Sequence, residues 1–342
     1  MFGNSFFALL LAILGIYIAK TILFRKKSSV PLPPGPKPKP IIGNLSDLPP
    51  AGVQEWQHWL KYKDLYGPIS SITVFGQTII IINAAEVATE ILEKRCSLNS
   101  SRPRMVFANE MVGWGDFMVG QVPSNRFRAY RKAIHGVMGT KRAVAQFDSL
   151  QDVEVRRFLL RVLEKPKDLF QHIRTEAGAI ILRIAYGYAI EAHKEDPLIK
   201  IADLALLQFS VASVPGAWLV DVLPARMSFF GHPTHTMLTT LVKYLPDWFP
   251  GAGFKRTAKE WNKTVMDFVE KPYNLVRRRM AEGKYRPSYL SKLLKDGNIS
   301  TEEDFVAKWT AASLYAGGAD TVSCNPLAAV FHDLDFQNQY RV

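Results

Sequence analysis

Hydrophobic positions along this chain recur mainly with the spacing of α-helices. From residue 84 onward, apolar residues lie three or four positions apart, which places one apolar face on a helix. Before them, the apolar runs Ile69 to Phe75 and Thr78 to Ile82 flank the two-residue turn Gly76-Gln77, which is typical of a β-hairpin. The pattern predicts a mostly α (α+β) fold with a small N-terminal β-sheet and excludes a doubly wound sheet. The predicted helices cover residues 53–65, 84–94, 124–139, 146–164, 168–188, 198–211, 255–282 and 301–324.

Residues 1–27 have the composition of a membrane anchor. Residues 1–19 carry no charge, and the apolar run from Phe2 to Phe24 is long enough to span a bilayer as a helix. The basic cluster Arg25-Lys26-Lys27 follows this run, whereas a cleaved signal peptide has its basic residues first. We therefore expect one transmembrane helix with a basic stop, and the following residues in the cytosol.

Residues 28–50 are predicted to form a proline-rich hinge. The run Pro31-Leu32-Pro33-Pro34-Gly35-Pro36 restricts the backbone to an extended and fairly stiff course, because each proline fixes φ and lacks an N–H donor. We therefore expect a connector between the anchor and the folded domain.

The charge and the cysteines narrow the class of protein. A formal net charge of +12 favours anionic partners. Basic residues are scattered among acids, as in Glu154 to Arg161, so a membrane surface or an acidic redox protein fits better than nucleic acid. The two cysteines, Cys96 and Cys324, form neither a disulfide framework nor a zinc-ribbon spacing, which favours a reducing compartment.

Two adjacent glycines, Gly317 and Gly318, interrupt the last predicted helix. Ser300 and Glu303 have the spacing of a capping box, so this helix is expected to run from about residue 301 into the 320s. A glycine inside a helix costs roughly 1 kcal/mol relative to alanine, so the pair suggests close approach of a large flat ligand or a local opening of the helix. The adjoining Asp320-Thr321 offers an acid and an alcohol; alternatively, both have only structural roles.

The basic run from Arg126 to Lys132 offers a second candidate site. On a helix, Phe127 and Arg131 lie one turn apart on the same face, so a ring and a guanidinium can face one ligand. Arginine suits a buried carboxylate because its planar fork binds both oxygens. The alternative is a basic helix face that only contacts solvent.

These features, taken in order, resemble the cytochrome P450 superfamily of haem-thiolate monooxygenases, in its filamentous-fungal, membrane-bound type. Gly317 to Thr321 resembles the pattern G-G-x-[DE]-T of the family's long central helix. Pro33 to Pro36, followed by Ile42-Gly43-Asn44, resembles the proline hinge of membrane-bound members. Phe127 to Arg131 is similar to the family's W-x-x-x-R, with phenylalanine in place of tryptophan.

The resemblance implies a haem cofactor and roles for the candidate residues. Arg131 would bind a haem propionate beside Phe127, and Gly317 and Gly318 would leave room for dioxygen. Thr321 would be the oxygen-side hydroxyl and Asp320 the acid of the proton relay. The implied partners are the membrane, NADPH-cytochrome P450 reductase and a small lipophilic substrate, with no nucleic acid, at the endoplasmic reticulum. Substrate contacts are expected at Met105 to Phe117, 205–220 and Ala312 to Ala316.

Several parts of the chain depart from the family pattern. The resemblance places a partial domain at 51–324, with a possible insertion at 225–241 and an atypical tail at 325–342. The family's axial cysteine loop F-x-x-G-x-x-x-C-x-G is absent, so the fold is expected to be incomplete at its C-terminus. We expect this ending to reflect a retained intron with an early stop, or a pseudogene.

The missing cysteine loop leaves two functions open. One is a haem-dependent monooxygenase, and the other is a catalytically inactive, membrane-anchored fragment that does not bind haem. Glu154-Val155-Arg156-Arg157 matches the family's E-x-x-R but precedes the glycine pair instead of following it. It is therefore predicted to be a solvated helix face.

Overall fold

The structure is a computed structural model that describes residues 31–40, 42–50, 53–74, 76–190, 196–214, 217–222, 251–295, 297 and 299–319. The predicted anchor at 1–27, the possible insertion at 225–241 and the tail at 325–342 lie outside these residues. Among the residues described, no helix is both long enough and apolar enough to span a bilayer. The chain divides into two compact units, Met1–Glu90 and Ile91–Val342.

The main elements follow the predicted order, and the mostly helical fold with one small sheet is confirmed. Their bounds are α1 Glu55–Tyr66, β1 Ile69–Val74, β2 Gln77–Ile82, α2 Asn125–Met138, α3 Asp148–Glu164, α4 Leu169–Tyr186, α5 Pro197–Ala212, α6 Gly253–Ala281 and α7 301–319. Shorter helical turns, some of 3-10 or π geometry, lie at Leu45–Asp47, Ala85–Ala88, Thr89–Lys94, Cys96–Asn99, Val106–Val112, Trp114–Asp116, Met118–Gly120, Lys141–Ala145, Pro166–Asp168, Leu219–Val222 and Tyr289–Leu293.

The first unit is built on the β-hairpin. Strands β1 and β2 are antiparallel, and Val74 pairs with Gln77. The predicted turn Gly76-Gln77 is therefore wrong by one residue, because Gln77 already belongs to the ladder while Gly76 has a φ of 82°. Side chains of α1 and the strands share a small core of Tyr62, Ile72, Val74 and Ile81.

The proline segment of the hinge lies against β1 instead of running free to the anchor. The Ser71 N–H donates to the Pro34 carbonyl at 2.9 Å, and the Ser71 hydroxyl donates to the Pro33 carbonyl at 2.7 Å. A Cβ at Gly35 would lie 1.9 Å from the Ser71 carbonyl oxygen, so only glycine fits here. The segment is thus part of the folded unit.

Side-chain caps mark the starts of α5 and α7 in the second unit. The predicted capping box of α7 is present, since the Glu303 carboxylate accepts from the Ser300 N–H at 2.8 Å and the Glu303 N–H donates to the Ser300 hydroxyl at 3.2 Å. Asp196 caps α5 by accepting from the Leu198 N–H at 2.8 Å, one residue after Pro197 at the first helical position. Each cap satisfies a terminal N–H group that the helix itself leaves without an acceptor.

Glu154 and Arg161 of α3 point inward, which corrects the prediction of a solvated face at Glu154, whereas Arg156 of the same stretch is exposed as predicted. The Glu154 side chain is 0% exposed and accepts from Arg157 at 3.0 Å and from Arg183 of α4. Arg161 of α3 pairs with Glu176 of α4 at 2.7 Å. The outer face carries apolar residues instead, among them Val155, Leu159 and Leu163. The pattern of α3 alone suggested the opposite, because the partners that neutralise its charges come from α4.

We expect Glu154→Ala to lower the free energy of unfolding by about 2–3 kcal/mol, because it leaves the half-buried Arg183 without its charged hydrogen-bond partner. The matched control is Asp152→Ala on the same helix, which removes an exposed pair with Arg156 and should cost less than about 1 kcal/mol. Urea denaturation of both variants measures the difference. Equal losses for the two variants would contradict the inward orientation of α3.

Candidate functional site

The arginines of α2 differ in what they contact. The Arg126 guanidinium forms two bonds to the Glu302 carboxylate, at 2.8 and 3.0 Å, and lies 4.3 Å from the centre of the Phe305 ring. Arg126 therefore joins α2 to α7. Arg128 is exposed and donates to the Asn125 side chain at 2.8 Å.

Phe127 and Arg131 lie together on α2 as the sequence predicts. The Arg131 guanidinium carbon is 6.0 Å from the centre of the Phe127 ring. Phe127 is half-buried and Arg131 is exposed. Within the described part of the chain, the structure pairs Arg131 with no carboxylate. The guanidinium thus has its hydrogen-bonding fork available for an external acid.

The two glycines of α7 have different surroundings. A Cβ at Gly318 would lie 2.6 Å from Cγ1 of Ile181, so this glycine permits the close packing of α7 on α4. A Cβ at Gly317 would meet nothing within 4 Å, and this residue is exposed. Residues 301–319 form a continuous helix, so the described part of α7 shows no local opening at the pair. Space beside the helix is therefore a property of Gly317, whereas Gly318 has a packing role.

The other two residues predicted on this helix, Asp320 and Thr321, lie outside the described residues. Their roles remain predictions. So do the cofactor-binding roles of Phe127, Arg131 and the glycine pair, whose positions are described above.

The segment 106–121, which includes most of the predicted substrate contacts at Met105 to Phe117, is largely buried. It begins with the π-helical turn Val106–Val112 and packs against α5 and α6. Side chains from four parts of the chain bind its backbone. These bonds, donor first, are Phe107 N–H to Asp221 Oδ1 at 3.0 Å, Asn262 Nδ2 to Val112 O at 3.0 Å, Tyr130 OH to Asp116 O at 2.8 Å, and Met118 N–H to Ser313 Oγ at 2.9 Å.

Aromatic side chains fill the space between this segment and α7. Phe117 is 1% exposed and meets the Trp309 ring edge-on, with 5.1 Å between centroids. Phe268 of α6 stacks on Tyr315 of α7 at 4.7 Å. Within the predicted contact range Ala312 to Ala316, Ala312 and Tyr315 belong to this core. Side chains at these positions are therefore packed against protein.

Burial changes the acid–base behaviour of two groups at this contact. It raises the pKa of Asp116, an effect that the nearby cations Arg126 and Lys308 partly offset. Burial, together with the charge of Asp116, also raises the pKa of the Tyr130 phenol. Tyr130 therefore remains protonated near neutral pH and can donate its hydrogen bond to the Asp116 carbonyl.

Tyr130 was not among the predicted site residues, and Ser313 was included only within the range Ala312 to Ala316 of expected substrate contacts. Tyr130 lies inside the basic run, and Ser313 precedes Gly317 by one helical turn, so both positions were adjacent to residues that were singled out. What distinguishes them from their neighbours is a hydrogen bond to a distant backbone group, from Tyr130 to the Asp116 carbonyl and from the Met118 N–H to Ser313. For Ser313 and Met118, these partners are 195 residues apart in sequence, which helical spacing cannot show.

Cysteine and metal-binding groups are sparse in the described residues. Cys96 is exposed and begins the short helix Cys96–Asn99. Cys324 lies outside the described residues. Among the residues described, no group of three or more His, Cys, Asp or Glu side chains is arranged to bind a metal ion.

Comparison with known proteins assigns the chain to a family. A family model described as Cytochrome P450 matches residues 33–334. The chain is 45% identical over 317 residues to the cytochrome P450 monooxygenase ppsD of Aspergillus oryzae, which covers 92% of this chain and 57% of that protein. It is 42% identical over 321 residues to the cytochrome P450 monooxygenase claR of Ampulloclitocybe clavipes, covering 94% and 56%. It is 38% identical over 312 residues to the O-methylsterigmatocystin oxidoreductase of Aspergillus flavus, covering 91% and 56%.

This chain belongs to the cytochrome P450 family. The resemblance to fungal members that Gly317 to Thr321 and the proline hinge indicated is thereby confirmed. The chain spans slightly more than half the length of these curated relatives.

The different surroundings of the two glycines predict opposite effects of alanine. Gly317→Ala should raise the free energy of unfolding by roughly 0.5–1 kcal/mol, because alanine favours the helix and its Cβ meets no neighbour. Gly318→Ala should be less stable than Gly317→Ala by about 1–3 kcal/mol, because its Cβ collides with the stiff, β-branched Ile181. Chemical denaturation of the two variants checks this order. A Gly318→Ala variant as stable as Gly317→Ala would show that α7 does not pack closely on α4.

Proposed function

We propose that the chain has the haem-dependent monooxygenase function of its family, in which one oxygen atom of O2 enters a small lipophilic substrate. The family match over residues 33–334 and the monooxygenases among its relatives support this class of reaction. The structural observation that carries the proposal is the space beside Gly317 of α7, where an added Cβ would meet nothing within 4 Å, at the residue that begins the sequence match to the family's oxygen-side motif.

The residues present fit a haem. A large flat ligand needs a surface without a projecting side chain, and Gly317 offers one. The haem propionates need a cation, and Arg131 has its fork available beside the Phe127 ring. A thiolate-ligated haem, when bound, supplies the electron density that favours cleavage of the O–O bond.

Side chains of this chain would bind the cofactor and would hold or transfer protons. Arg131 would bind a haem propionate, with the Phe127 ring beside its guanidinium. Thr321 holds a proton at its hydroxyl on the oxygen side, and Asp320 exchanges protons with solvent through its carboxylate. Both of these last two assignments rest on their place in the motif directly after Gly317 and Gly318.

A second proposal concerns the polypeptide of residues 1–342 taken by itself, namely that it does not activate oxygen. The family's axial cysteine loop does not occur in this sequence. Cys96 is exposed on a short helix, and the E-x-x-R match at Glu154 to Arg157 is engaged in the ion cluster between α3 and α4. Purified recombinant 1–342 supplied with haem tests this proposal. A reduced carbon-monoxide spectrum typical of thiolate-ligated haem would refute the inactive state.

The cellular setting completes the proposal. Residues 1–27 would anchor the chain in the endoplasmic reticulum membrane with the folded part in the cytosol, where NADPH-cytochrome P450 reductase supplies electrons. One relative is named for O-methylsterigmatocystin, and several are fungal monooxygenases, which supports a role in fungal secondary metabolism.

Arg131→Ala should weaken haem binding to the chain by about 10-fold or more, because a hydrogen bond to a charged group contributes roughly 1.5–3 kcal/mol. The matched control is Arg128→Ala, which removes an exposed arginine of the same helix and should change the affinity less than about 2-fold. Titration of each variant with haem, followed by absorbance, gives the dissociation constants. Equal losses of haem affinity in the two variants would show that Arg131 does not bind haem.

A further inference from the structure

The backbone of Asp116-Phe117-Met118, called the 116–118 bridge, is bonded by one side chain of α2 and one of α7. The Tyr130 hydroxyl donates to the Asp116 carbonyl at 2.8 Å, and the Met118 N–H donates to the Ser313 hydroxyl at 2.9 Å. We propose that Tyr130 and Ser313 are positioning residues, which act through this bridge to fix the place of Arg131 relative to Gly317. This inference rests on the proposed haem-binding function of those two positions.

Each bond satisfies a backbone group that has no local partner. Met118 is the first residue of the 3-10 turn Met118–Gly120, so its N–H lies at an end where the turn supplies no acceptor. Ser313 donates its hydroxyl to the Trp309 carbonyl at 2.7 Å, as serines inside helices commonly do, and its oxygen remains able to accept from Met118. Met118 is half-buried, so leaving its N–H without an acceptor would carry a desolvation penalty.

The Phe117 side chain, at the centre of the 116–118 bridge, holds the bridge in place against its neighbours. Phe117 is packed against Trp309 of α7 and lies 4.4 Å, between centroids, from Trp114. The turns on either side are also compact, because a Cβ at Gly115 would lie 2.9 Å from the Asn109 carbonyl oxygen, and one at Gly120 would lie 2.6 Å from that of Trp114. The bridge therefore behaves as a rigid spacer between its two bonds.

The ends of the spacer are next to the predicted haem contacts. Tyr130 directly precedes Arg131 in α2, and Ser313 lies one helical turn before Gly317 in α7. A shift of either helix along the bridge therefore moves one predicted contact relative to the other. The Arg126–Glu302 pair also joins α2 to α7, but both of its side chains are exposed and water screens the pair. The 116–118 bridge, whose central side chain Phe117 is buried, is therefore the stronger determinant of their spacing.

Hydrogen exchange in the full chain, without haem, is the first test. Ser313→Ala should speed exchange of the Met118 amide by about 5-fold or more and should also raise exchange in the part of α2 around Tyr130. Ser313→Thr should restore both exchange rates to those of the unmodified chain, because threonine keeps the accepting oxygen. The matched control is Ser100→Ala, since the Ser100 hydroxyl also bonds back to a carbonyl four residues earlier, that of Cys96, and Ser100 lies outside the predicted contact ranges. Faster exchange of the Met118 amide with an unchanged exchange rate in α2 would show that the bridge does not couple the two helices.

Haem affinity is the second test. Ser313→Ala and Tyr130→Phe should each weaken haem binding by about 3-fold to 10-fold although neither side chain contacts the cofactor, and the double variant should lose less than the product of the two factors, because both act on one spacer. Ser100→Ala and Ser313→Thr should bind haem with the affinity of the unmodified chain. Unchanged affinity in Ser313→Ala would overturn the positioning role. Absence of haem binding in the unmodified chain would instead overturn the proposed function, and the exchange comparison would still decide whether the bridge couples α2 to α7.

Discussion

Burial of the irregular segment 106–121 is the constraint on which the helical unit depends. A backbone without regular structure must find partners for its N–H and C=O groups when it is buried, because water is excluded there. The partners are side chains of other elements, including Asn262 of α6, Tyr130 of α2 and Ser313 of α7. Packing and hydrogen bonding are therefore coupled, since the helices can pack only at spacings from which these side chains reach the segment.

Much of the fold follows from local sequence signals. The capping box at Ser300 and Glu303 and the helical spacing of apolar residues act over a few positions, so the sequence alone predicts α7 and most other helices closely. The sequence-based predictions failed where contacts with another part of the chain determine the local structure. The π geometry of Thr89–Lys94 has no local signature, and the inward face of α3 depends on Arg183 and Glu176 of α4.

The candidate site was predictable in part for the same reason. The pairing of Phe127 with Arg131 is a property of one helix and could be inferred from their spacing. The difference between Gly317 and Gly318 could not, because it is set by Ile181 on another helix. The contacts of Ser313 likewise depend on a segment almost two hundred residues earlier in the chain, and one sequence carries no sign of such a pair.

The proline segment bound to β1 would limit the distance between the first unit and a membrane if the proposed anchor at 1–27 spans one. Its bonds to Ser71 fix the chain to the sheet from Pro33 onward. With the proposed anchor ending at Lys27, only residues 28–32 lie between the bilayer surface and the sheet. An extended residue spans at most 3.3–3.6 Å, so this tether reaches no further than about 18 Å. Although the predicted hinge covers 28–50, such a connection would be short and would leave the sheet little freedom to tilt away from the lipid headgroups.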